Sequence, residues 1–302
     1  MYSISVVIPV RNRPASIVRA VESILSQSVA VLEIIIVDDA SSDNTVFVIE
    51  SLARSEPRIR LIELDQNRGG GFARNVGIDA AKGDLIAFLD SDDLWLPNKL
   101  EKQLSLIEGR DDALCFCNLK VDHGDGQPIT DWNTEAWSAD QSAKKYILDL
   151  NQVIQTSTWL MPTELARRIR FDDSLRRHQD IDFVLRADEM GIRFIYSMDS
   201  LVVYSADPKT VRTSQRKNAK PSLDWMVVAS AYLDDREISR FYLKHIADMD
   251  LEDTPMRAMG RITGLAIKGH IGFIDTSRVL LRNLTPKPIV EFVKSIRRGR
   301  NR

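Results

Sequence analysis

The stretch SISVVIPVRNRPASIVRAVESILSQSVAVLEIIIVDDAS (residues 3–41) decides the fold class of this chain. Its two ends, SISVVIPV and EIIIVDDAS, are apolar and rich in β-branched residues, as buried strands are, whereas ASIVRAVESILSQS between them has apolar residues at helical spacing. A strand, a helix and a second strand in this order form a right-handed crossover between parallel strands. The stretch therefore predicts a parallel sheet.

The same alternation continues downstream. NTVFVIESLARS has helical spacing, RIRLIEL is extended, a helix surrounds FARNVGIDAAKG, and DLIAFLD is again a strand. This order predicts an α/β fold, a Rossmann-like and mostly parallel sheet flanked by helices. Ligands of such sheets bind beyond the carboxyl ends of the strands, so the chemistry is expected there.

The pattern changes after about residue 113. Two short strands, ALCFCNLKV and RFIYSMDSLVVYS, flank a loop-rich stretch, and residues 211–302 have mostly helical spacing. A chain of 302 residues exceeds a typical domain of about 100 to 200 residues. We predict a catalytic domain at 1–210 and a helical C-terminal extension at 211–302.

Composition excludes several protein classes. With 44% hydrophobic and 28% charged residues the chain can build a core, and its net charge of -2 argues against a nucleic-acid partner. The two cysteines, Cys115 and Cys117, lie in an apolar run and are expected to be reduced core residues. Without a signal peptide or a span of roughly 20 apolar residues, a cytoplasmic location is expected, and any membrane contact should be peripheral.

Acidic residues follow two of the predicted strands. Asp38 and Asp39 end one strand, and Asp90, Asp92 and Asp93 end another. Neighbouring carboxylates repel one another unless a positive group lies among them. A cation at this edge is therefore predicted.

The segment IAFLDSDDLWLP points to a metal-assisted reaction. Asp90 and Asp92 lie two residues apart where a strand ends, so both side chains can project to one side. Mn²⁺ and Mg²⁺ prefer oxygen ligands, and a metal can stabilise the charge that grows on a departing diphosphate. A solvated acidic turn is the alternative, because this short motif alone is weak evidence.

Two further segments suggest a bound nucleotide. Asp39 could accept a hydrogen bond from the N–H of a pyrimidine base, with Asp38 bracing the loop, although Ser41 could also cap the next helix. In NRGGGFARNVGIDAAKGD, the glycines around Gly70 permit unusual backbone conformations, and the helix start offers N–H groups to anionic oxygen. Arg74 adds a guanidinium for phosphate or sugar hydroxyls.

The segment FDDSLRRHQDIDFVLRADEMG supplies a candidate base. Asp180 stands at the start of a helix whose apolar residues should face the core, so its carboxylate could take a proton from an attacking hydroxyl. Helix capping is the alternative role for Asp180. His178 is a rival base, since its intrinsic pKa is near neutrality.

With these motifs in order, the chain resembles glycosyltransferase family two, the inverting enzymes with the GT-A fold. The resemblance covers residues 3–205 and rests on SVVIPVRNR, IIIVDDASSDNT, NRGGGFARNVGIDAAKGDLIAFLDSDD and RRHQDIDFVLR occurring together. It implies single displacement at an α-linked nucleotide sugar, with residues 1–110 binding the donor and residues 111–210 the acceptor.

The resemblance also implies roles for particular residues. Asp180 would be the catalytic base, and Asp92 would bind Mn²⁺ or Mg²⁺. The donor would be held by Pro9, Val10, Arg11, Asp38, Asp39, Gly70, Arg74, Asp90 and Ser91. We further consider Trp95, Arg177 and His178 as acceptor-contacting or positioning residues.

Two residues of this chain depart from the family pattern. Arg11 stands where the family often has an aromatic residue, and Gln179 stands where an acidic residue or glycine often precedes the base. Processive members carry a Gln-x-x-Arg-Trp motif, whereas here Gln215 and Arg216 are adjacent. Transfer of one sugar per encounter is therefore predicted.

The C-terminal tail suggests a setting for the reaction. Residues 286–302 carry six basic residues against the single acid Glu291, together with an apolar stripe. Such a helix can lie on an anionic membrane, which would suit a polyprenyl-linked acceptor. A solvated tail is the alternative.

The predicted function is transfer of a single hexose from a nucleotide-diphosphate sugar, most simply a UDP-sugar such as UDP-glucose, to a glycan or lipid-linked oligosaccharide in surface polysaccharide synthesis. A sugar-phosphate nucleotidylyltransferase and a non-catalytic nucleotide-sugar binding protein are the alternatives. A homodimer stays open, since nothing in the sequence sets the oligomeric state.

Overall fold

The computed structural model describes residues 2–124, 126, 128–138, 140–206 and 218–270. The chain divides into two compact units, Met1–Arg212 and Thr213–Arg302. The predicted basic tail at 286–302 and the pair Gln215 and Arg216 lie outside the described residues.

The first unit is built on one nine-stranded sheet with the order β3-β2-β1-β4-β8-β6-β9-β5, in which β7 pairs with β6. Its strands are β1 Ile4–Val10, β2 Glu33–Asp38, β3 Ile59–Glu63, β4 Leu85–Phe88, β5 Leu94–Trp95, β6 Ala113–Asp122, β7 Thr130–Asp131, β8 Leu160–Pro162 and β9 Arg193–Ser205.

Helices flank this sheet. They are α1 Pro14–Leu25, α2 Thr45–Ser55, α3 Gly70–Ala80, α4 Lys99–Ile107, α5 Thr163–Ile169 and α6 Gln179–Glu189. The predicted α/β class and the predicted flanking helices are confirmed. Within the described residues, no helix combines the length and the apolar character that crossing a membrane requires.

The predicted parallel sheet is present from β3 to β4, where β3, β2, β1 and β4 all run in one direction. Every residue of β2 is buried, which is typical of a parallel strand covered by helices on both faces. Because the strands are parallel, their carboxyl ends meet at one edge of the sheet.

The second half of the sheet is mixed, which explains the loss of regular alternation after residue 113. The short strand β8 is antiparallel to both β4 and β6, whereas β9 is parallel to β6. Two antiparallel pairings restore the strand direction, so the carboxyl end of β6 lies at the same edge as that of β4.

An aromatic cluster fixes α6 against β4. Phe88 of β4 meets Trp159 edge-on at 6.1 Å between ring centroids, and Trp159 packs on Phe183 of α6 at 5.0 Å. Phe171 completes the cluster, 4.8 Å from Phe183. Burial of four large rings gives α6 a fixed position over the sheet.

The segment that precedes β8, residues 154–159, is irregular but anchored by buried side chains. Lys99 Nζ donates to the carbonyl of Trp159 at 3.1 Å and lies 3.9 Å from the ring centroid of Trp95. Gln103 Nε2 donates to the carbonyl of Thr158 at 2.7 Å. Lys99 and Gln103 are fully buried, so these bonds compensate part of their desolvation.

The second unit is helical over its described residues, as predicted for a C-terminal extension. Its helices are α7 Lys220–Ala229, α8 Asp235–Phe241, α9 Ala247–Asp253 and α10 Pro255–Ile267, with a π-helical turn at Tyr242–Ile246. Trp225 and Phe241 pack at 4.4 Å, and the buried Asp250 accepts hydrogen bonds from Arg261 and Tyr242.

Lys99 should make the stability of the protein depend on pH. Burial lowers the pKa of Lys99 to about 8 from a usual 10.5. Between these values the unfolded chain holds a proton that the folded chain has lost, so the cost of burying Lys99 falls as pH rises through about 8. We expect the free energy of unfolding of wild type, minus that of Lys99→Met, to increase by about 1 kcal/mol from pH 7 to pH 9.

Urea unfolding at pH 7, 8 and 9 measures this difference. Lys102→Met is the control, because Lys102 lies on the same helix but is only partly buried and pairs with Asp199. A pH dependence of Lys99→Met no larger than that of the control would contradict the prediction.

Candidate active site

The loops that follow β1, β2 and β4 come together at the carboxyl edge of the sheet. Val10 at the end of β1 pairs with Asp38 at the end of β2, and β4 lies on the other side of β1. This edge therefore brings together the residues that follow each strand: Arg11, Asp39 and Asp90. It is the edge at which the sequence predicts a site.

The loops after β1 and β2 hold each other in place. Asn12 N donates to Ser41 Oγ at 2.8 Å, and Arg13 N donates to Thr45 Oγ1 at 2.8 Å. Asn12 and Ala40 both adopt left-handed backbone conformations, with φ of 53° and 55°. Such conformations cost free energy in residues other than glycine and are common at functional sites.

Asp38 and Asp39 both accept hydrogen bonds from backbone N–H groups of the protein. Asp38 Oδ2 accepts from Ser41 N at 2.8 Å, which braces the loop after β2. Asp39 accepts from two consecutive backbone N–H groups, those of Arg68 at 2.6 Å and Gly69 at 2.9 Å, and it is only 5% exposed. A carboxylate has about four acceptor positions, so Asp39 keeps capacity for a ligand N–H.

The glycines at positions 69–71 leave space for the side chains of Arg74, Arg176 and Gln179. A Cβ at Gly69, whose φ is 91°, would lie 2.5 Å from Arg176 Nη1, and a Cβ at Gly71 would lie 3.1 Å from Gln179 Nε2. At Gly70 the nearest atom would be Arg74 Nη1 at 3.1 Å. The N–H groups of Gly70 and Gly71, in the first turn of α3, make no hydrogen bond within the described part of the chain.

Arg74 connects the acidic loop to the helix that carries Asp180. Its Nη2 lies 2.5 Å from Asp90 Oδ1, and its Nη1 donates to Gln179 Oε1 at 3.1 Å. Arg74 is 8% exposed, and its guanidinium lies 5.3 Å from the ring centroid of Phe171. The salt bridge is therefore shielded from solvent, which strengthens it relative to a surface pair.

The carboxylates at this edge are matched by donors of the protein itself. Arg74 pairs with Asp90, and Arg13 Nη2 lies 3.8 Å from Asp92 Oδ2. The fully buried Asp93 accepts from Ser157 Oγ at 2.8 Å. The guanidinium groups of Arg13 and Arg74 thus supply positive charge among these acids, as the sequence predicts for this edge, and a bound metal ion stays a prediction.

Asp180 differs from the other acids of the site. Desolvation raises the pKa of its carboxyl above the usual 3.8, and the negative charge of Asp90 adds to this, whereas the Ile181 N–H and Arg74 oppose it. Asp180 lies in the first turn of α6, directly after His178, whose φ of 60° is left-handed. A carboxylate whose proton affinity is raised is a better base than an ordinary aspartate.

Four of the remaining predicted residues are buried: Val10, Ser91, Trp95 and Arg177. Val10 and Ser91 are buried, so a ligand could reach mainly their backbones. Trp95 is 3% exposed and its Nε1 donates to the carbonyl of Ser157 at 2.8 Å, which suits a positioning role and excludes stacking against an acceptor in this conformation. Burial lowers the pKa of Arg177.

Pro9 is half-buried at the end of β1, and Arg11 next to it lies at the surface. Arg11 Nε approaches the carbonyl of Ala40 at 3.5 Å, and its guanidinium donates to the Asn67 side chain at 2.8 and 2.6 Å once the amide of Asn67 is oriented to accept. Arg11 thereby joins the loops after β1 and β3.

A metal ion could be held here by few protein ligands. In the parts of the chain for which positions are described, no group of three or more His, Cys, Asp or Glu side chains is arranged to hold one. Mg²⁺ sites commonly use one or two carboxylates plus substrate phosphate and water. The partly exposed carboxylate of Asp92 fits such a site.

Sequence reasoning missed several residues of the site. Arg13, Gln155, Ser157 and Arg176 all contact it, yet Gln155 and Ser157 stand in QTST, which matches no catalytic motif. Gln155 is 65 residues from Asp90 in sequence. Only the abrupt change from polar QTST to apolar WLMP hinted that a strand begins there.

The sequence of this chain is similar to those of known proteins. The family model described as glycosyl transferase family 2 matches residues 5–170. The amylovoran biosynthesis glycosyltransferase AmsB of Erwinia amylovora is 34% identical over 242 residues, which are 78% of this chain and 80% of that protein. The Escherichia coli UDP-Glc:α-D-GlcNAc-diphosphoundecaprenol β-1,3-glucosyltransferase WfgD is 38% identical over 120 residues, 40% of this chain and 47% of that protein.

A solved structure shares the fold. The mannosyltransferase PcManGT from Pyrobaculum calidifontis, in complex with GDP-Man and Mn²⁺, superposes with a TM-score of 0.60 at 16% identity, covering 97% of this chain and 83% of that one. The predicted GT-A type of fold is thereby confirmed.

The raised pKa of Asp180 predicts a gain of stability on its neutralisation. Above pH 3.8 the carboxyl ionises readily in the unfolded chain, whereas desolvation makes its ionisation more costly in the folded chain. That cost is relieved as pH falls through the raised folded pKa. We expect Asp180→Asn to raise the free energy of unfolding at pH 7, and this gain to shrink as pH approaches 3.8.

Thermal and urea unfolding at pH 7 and pH 4 measure the effect. Asp79→Asn is the matched control, since Arg170 lowers the pKa of Asp79 and its neutralisation should destabilise the protein at pH 7. Equal losses of stability in both variants would contradict the assignment for Asp180.

Proposed function

This chain belongs to glycosyltransferase family 2, and we propose that it transfers a single hexose from a nucleotide-diphosphate sugar, most simply a UDP-sugar such as UDP-glucose, to a glycan or lipid-linked oligosaccharide by single displacement. In this reaction, residues 1–110 would bind the donor and residues 111–210 would bind the acceptor. Family membership favours this reaction over the nucleotidylyltransferase alternative.

The observation that carries the proposal is the Arg74 bridge. One guanidinium contacts Asp90, in the acidic loop, and Gln179, the neighbour of Asp180. A donor bound at the acidic loop and an acceptor hydroxyl at Asp180 would therefore meet within a few ångströms of the same side chain. Positioning of two reactants in this way converts a bimolecular step into an effectively unimolecular one.

We assign donor binding to the loops after β1, β2 and β4. Asp39 would accept the N–H of the base, and the open N–H groups of Gly70 and Gly71 would face anionic oxygen at the start of α3. Asp90, held by Arg74, would accept a hydroxyl of the donor sugar or ribose. Pro9, Val10, Arg11, Asp38 and Ser91 would shape this part of the site through the loops they belong to.

Asp92 would be the protein ligand of Mn²⁺ or Mg²⁺. Such an ion stabilises negative charge on the leaving diphosphate when it is bound. Arg13 Nη2, 3.8 Å from Asp92 Oδ2, would balance part of the charge of Asp92 when no ion is bound. The relative crystallised with Mn²⁺ supports the choice of a divalent ion.

Asp180 would act as the base. Its carboxylate takes the proton of the acceptor hydroxyl while that oxygen attacks the anomeric carbon, and the nucleoside diphosphate leaves from the opposite side. Desolvation raises the pKa of Asp180, which increases its proton affinity, and the adjacent Arg74 keeps the ionised form accessible. His178 and Arg177, directly before α6, would contact or position the acceptor.

The setting we infer is assembly of a surface polysaccharide on the cytoplasmic face of a membrane. The relatives AmsB and WfgD are named for amylovoran biosynthesis and for transfer to a diphosphoundecaprenol-linked sugar. A polyprenyl-linked acceptor would suit a peripheral contact through the basic residues at 286–302.

A donor panel tests the function. We expect release of nucleoside diphosphate from one nucleotide sugar in the presence of Mn²⁺ or Mg²⁺, and loss of this turnover by about 10²- to 10⁴-fold in Asp180→Asn, with donor affinity kept. The acid limb of kcat/KM should lie above 3.8, because the base must be deprotonated to act. Near-normal turnover of Asp180→Asn would remove Asp180 from the base role.

A second test concerns the tail. We expect the full chain to co-sediment with anionic liposomes at low salt, and truncation before Pro286 to abolish this, since each basic residue near such a surface contributes about 1 kcal/mol. High salt should release the full chain, and neutral liposomes serve as the control. Identical sedimentation with and without residues 286–302 would end the membrane proposal.

A further inference from the structure

Gln155 occupies a distinctive position between two carboxylates. Its Nε2 donates to Asp90 Oδ2 at 3.2 Å and to Asp93 Oδ2 at 3.0 Å. A primary amide has two N–H groups, and the acceptors within their reach here are the two acids and Ser157 Oγ, which lies 3.3 Å from Nε2. The half-buried Gln155 thus joins the second half of the sheet to the acidic loop after β4.

Asp90 is held on both of its oxygens. Arg74 pairs with Oδ1 at 2.5 Å, and Gln155 donates to Oδ2. The final torsion of an aspartate side chain is broad and weakly restrained by itself. Two donors on opposite oxygens fix this torsion, so removal of either one would let the carboxylate rotate.

The amide of Gln155 is itself oriented by its neighbours. Its Oε1 accepts from Ser157 N at 2.8 Å, which leaves Nε2 facing the acids. Ser157 Oγ lies on the same network, since it donates to Asp93 Oδ2 at 2.8 Å and accepts from Asp90 N at 3.0 Å. The orientation of the amide therefore follows from the hydrogen bonds of the backbone around it.

Core side chains hold this segment from behind. Trp95 Nε1, Gln103 Nε2 and Lys99 Nζ donate to the carbonyls of three consecutive residues, Ser157, Thr158 and Trp159. A buried lysine and a buried glutamine are costly to place in a core, and both donate here to the backbone of this stretch, Gln103 also donating to the carbonyl of Cys115 at 3.3 Å. The core fixes the stretch that presents Gln155 to the site.

We propose that Gln155 is a positioning residue for the donor: by holding Oδ2 of Asp90, it presets the carboxylate that receives the nucleotide sugar. The inference rests on the proposed function and concerns how Asp90 is oriented. Gln155 acts through Asp90, with Ser157 and Arg74 as the other members of the network.

The chemistry of the amide explains why glutamine suits this place. Glutamate would put a third carboxylate against Asp90 and Asp93, and like charges at this distance repel. Alanine would leave Oδ2 of Asp90 without this donor and free the side chain to rotate. Both changes should weaken the donor complex, and glutamate should weaken it more.

Steady-state kinetics of Gln155→Ala and Gln155→Glu test the proposal. We expect the KM for the nucleotide sugar to rise by about tenfold or more, because a hydrogen bond to a charged group is lost, with the KM for the acceptor unchanged. Calorimetric titration of the nucleotide sugar into each variant should show the same loss of affinity. A fall in kcat alone, with both KM values unchanged, is what a loss of folded protein would give, and it would overturn the proposal.

Gln152→Ala is the matched control. Gln152 lies three residues before Gln155 and is buried, but the hydrogen bonds of its side chain to other described residues join it to backbone groups of residues 134, 135 and 150. We expect this variant to lower the melting temperature and to leave the donor KM unchanged. An equal rise of donor KM in Gln152→Ala would show a general structural effect and would overturn the positioning role.

The test separates this inference from the proposed function. If wild type turns over a nucleotide sugar and the Gln155 variants keep its donor KM, the positioning role alone fails. If wild type neither binds nor turns over any nucleotide sugar, the proposed function fails and the inference fails with it.

Discussion

The salt bridge between Arg74 and Asp90 is the interaction on which the rest of the site depends. Arg74 leaves α3 one turn after the glycine run, crosses the edge of the sheet to Asp90, and also holds Gln179 at the start of α6. The glycines matter because side chains at positions 69–71 would occupy the space of Arg74, Arg176 and Gln179. One buried guanidinium therefore sets the distance between the acidic loop and Asp180.

The carboxylates of the site differ in the hydrogen-bond and ion-pair partners that the protein provides for them. Asp39 accepts two backbone N–H groups, Asp90 is held on both oxygens, and Asp93 is buried among donors. Arg13 Nη2 lies 3.8 Å from Asp92 Oδ2, and desolvation raises the pKa of Asp180. Asp92 and Asp180 are the two carboxylates for which an external partner, a cation or a proton, is proposed.

Part of the core serves the site at a cost in stability. Lys99 and Gln103 are buried polar residues that donate to the carbonyls of Trp159 and Thr158, and desolvation raises the pKa of Asp180. We expect apolar residues in the core and an amide at position 180 to make the protein more stable. The proposed roles of Gln155 in positioning and of Asp180 as a base would account for these polar residues.

The sequence by itself determined the strand and helix order, the parallel half of the sheet and the family, and it predicted the edge at which the candidate site lies. These follow from local properties: β-branched runs, helical spacing, and acids placed directly after strands. The hydrophobic periodicity of a segment depends only on the residues of that segment, so it can be read from the sequence. The motifs around Asp39, Arg74, Asp90 and Asp180 could be recognised in the sequence for the same reason.

Only the tertiary structure decided how the acids are neutralised. The sequence predicted a cation among them, and the fold places the guanidinium groups of Arg13 and Arg74 there. Gln155 and Ser157 add neutral hydrogen-bond donors from a segment more than 60 residues away from the acidic loop. Such partners carry no local signal, because a glutamine or serine becomes significant only through what the chain brings against it. Whether Trp95 is buried or exposed, and whether Asp180 is desolvated, likewise depend on packing between distant segments, which no spacing along the sequence encodes.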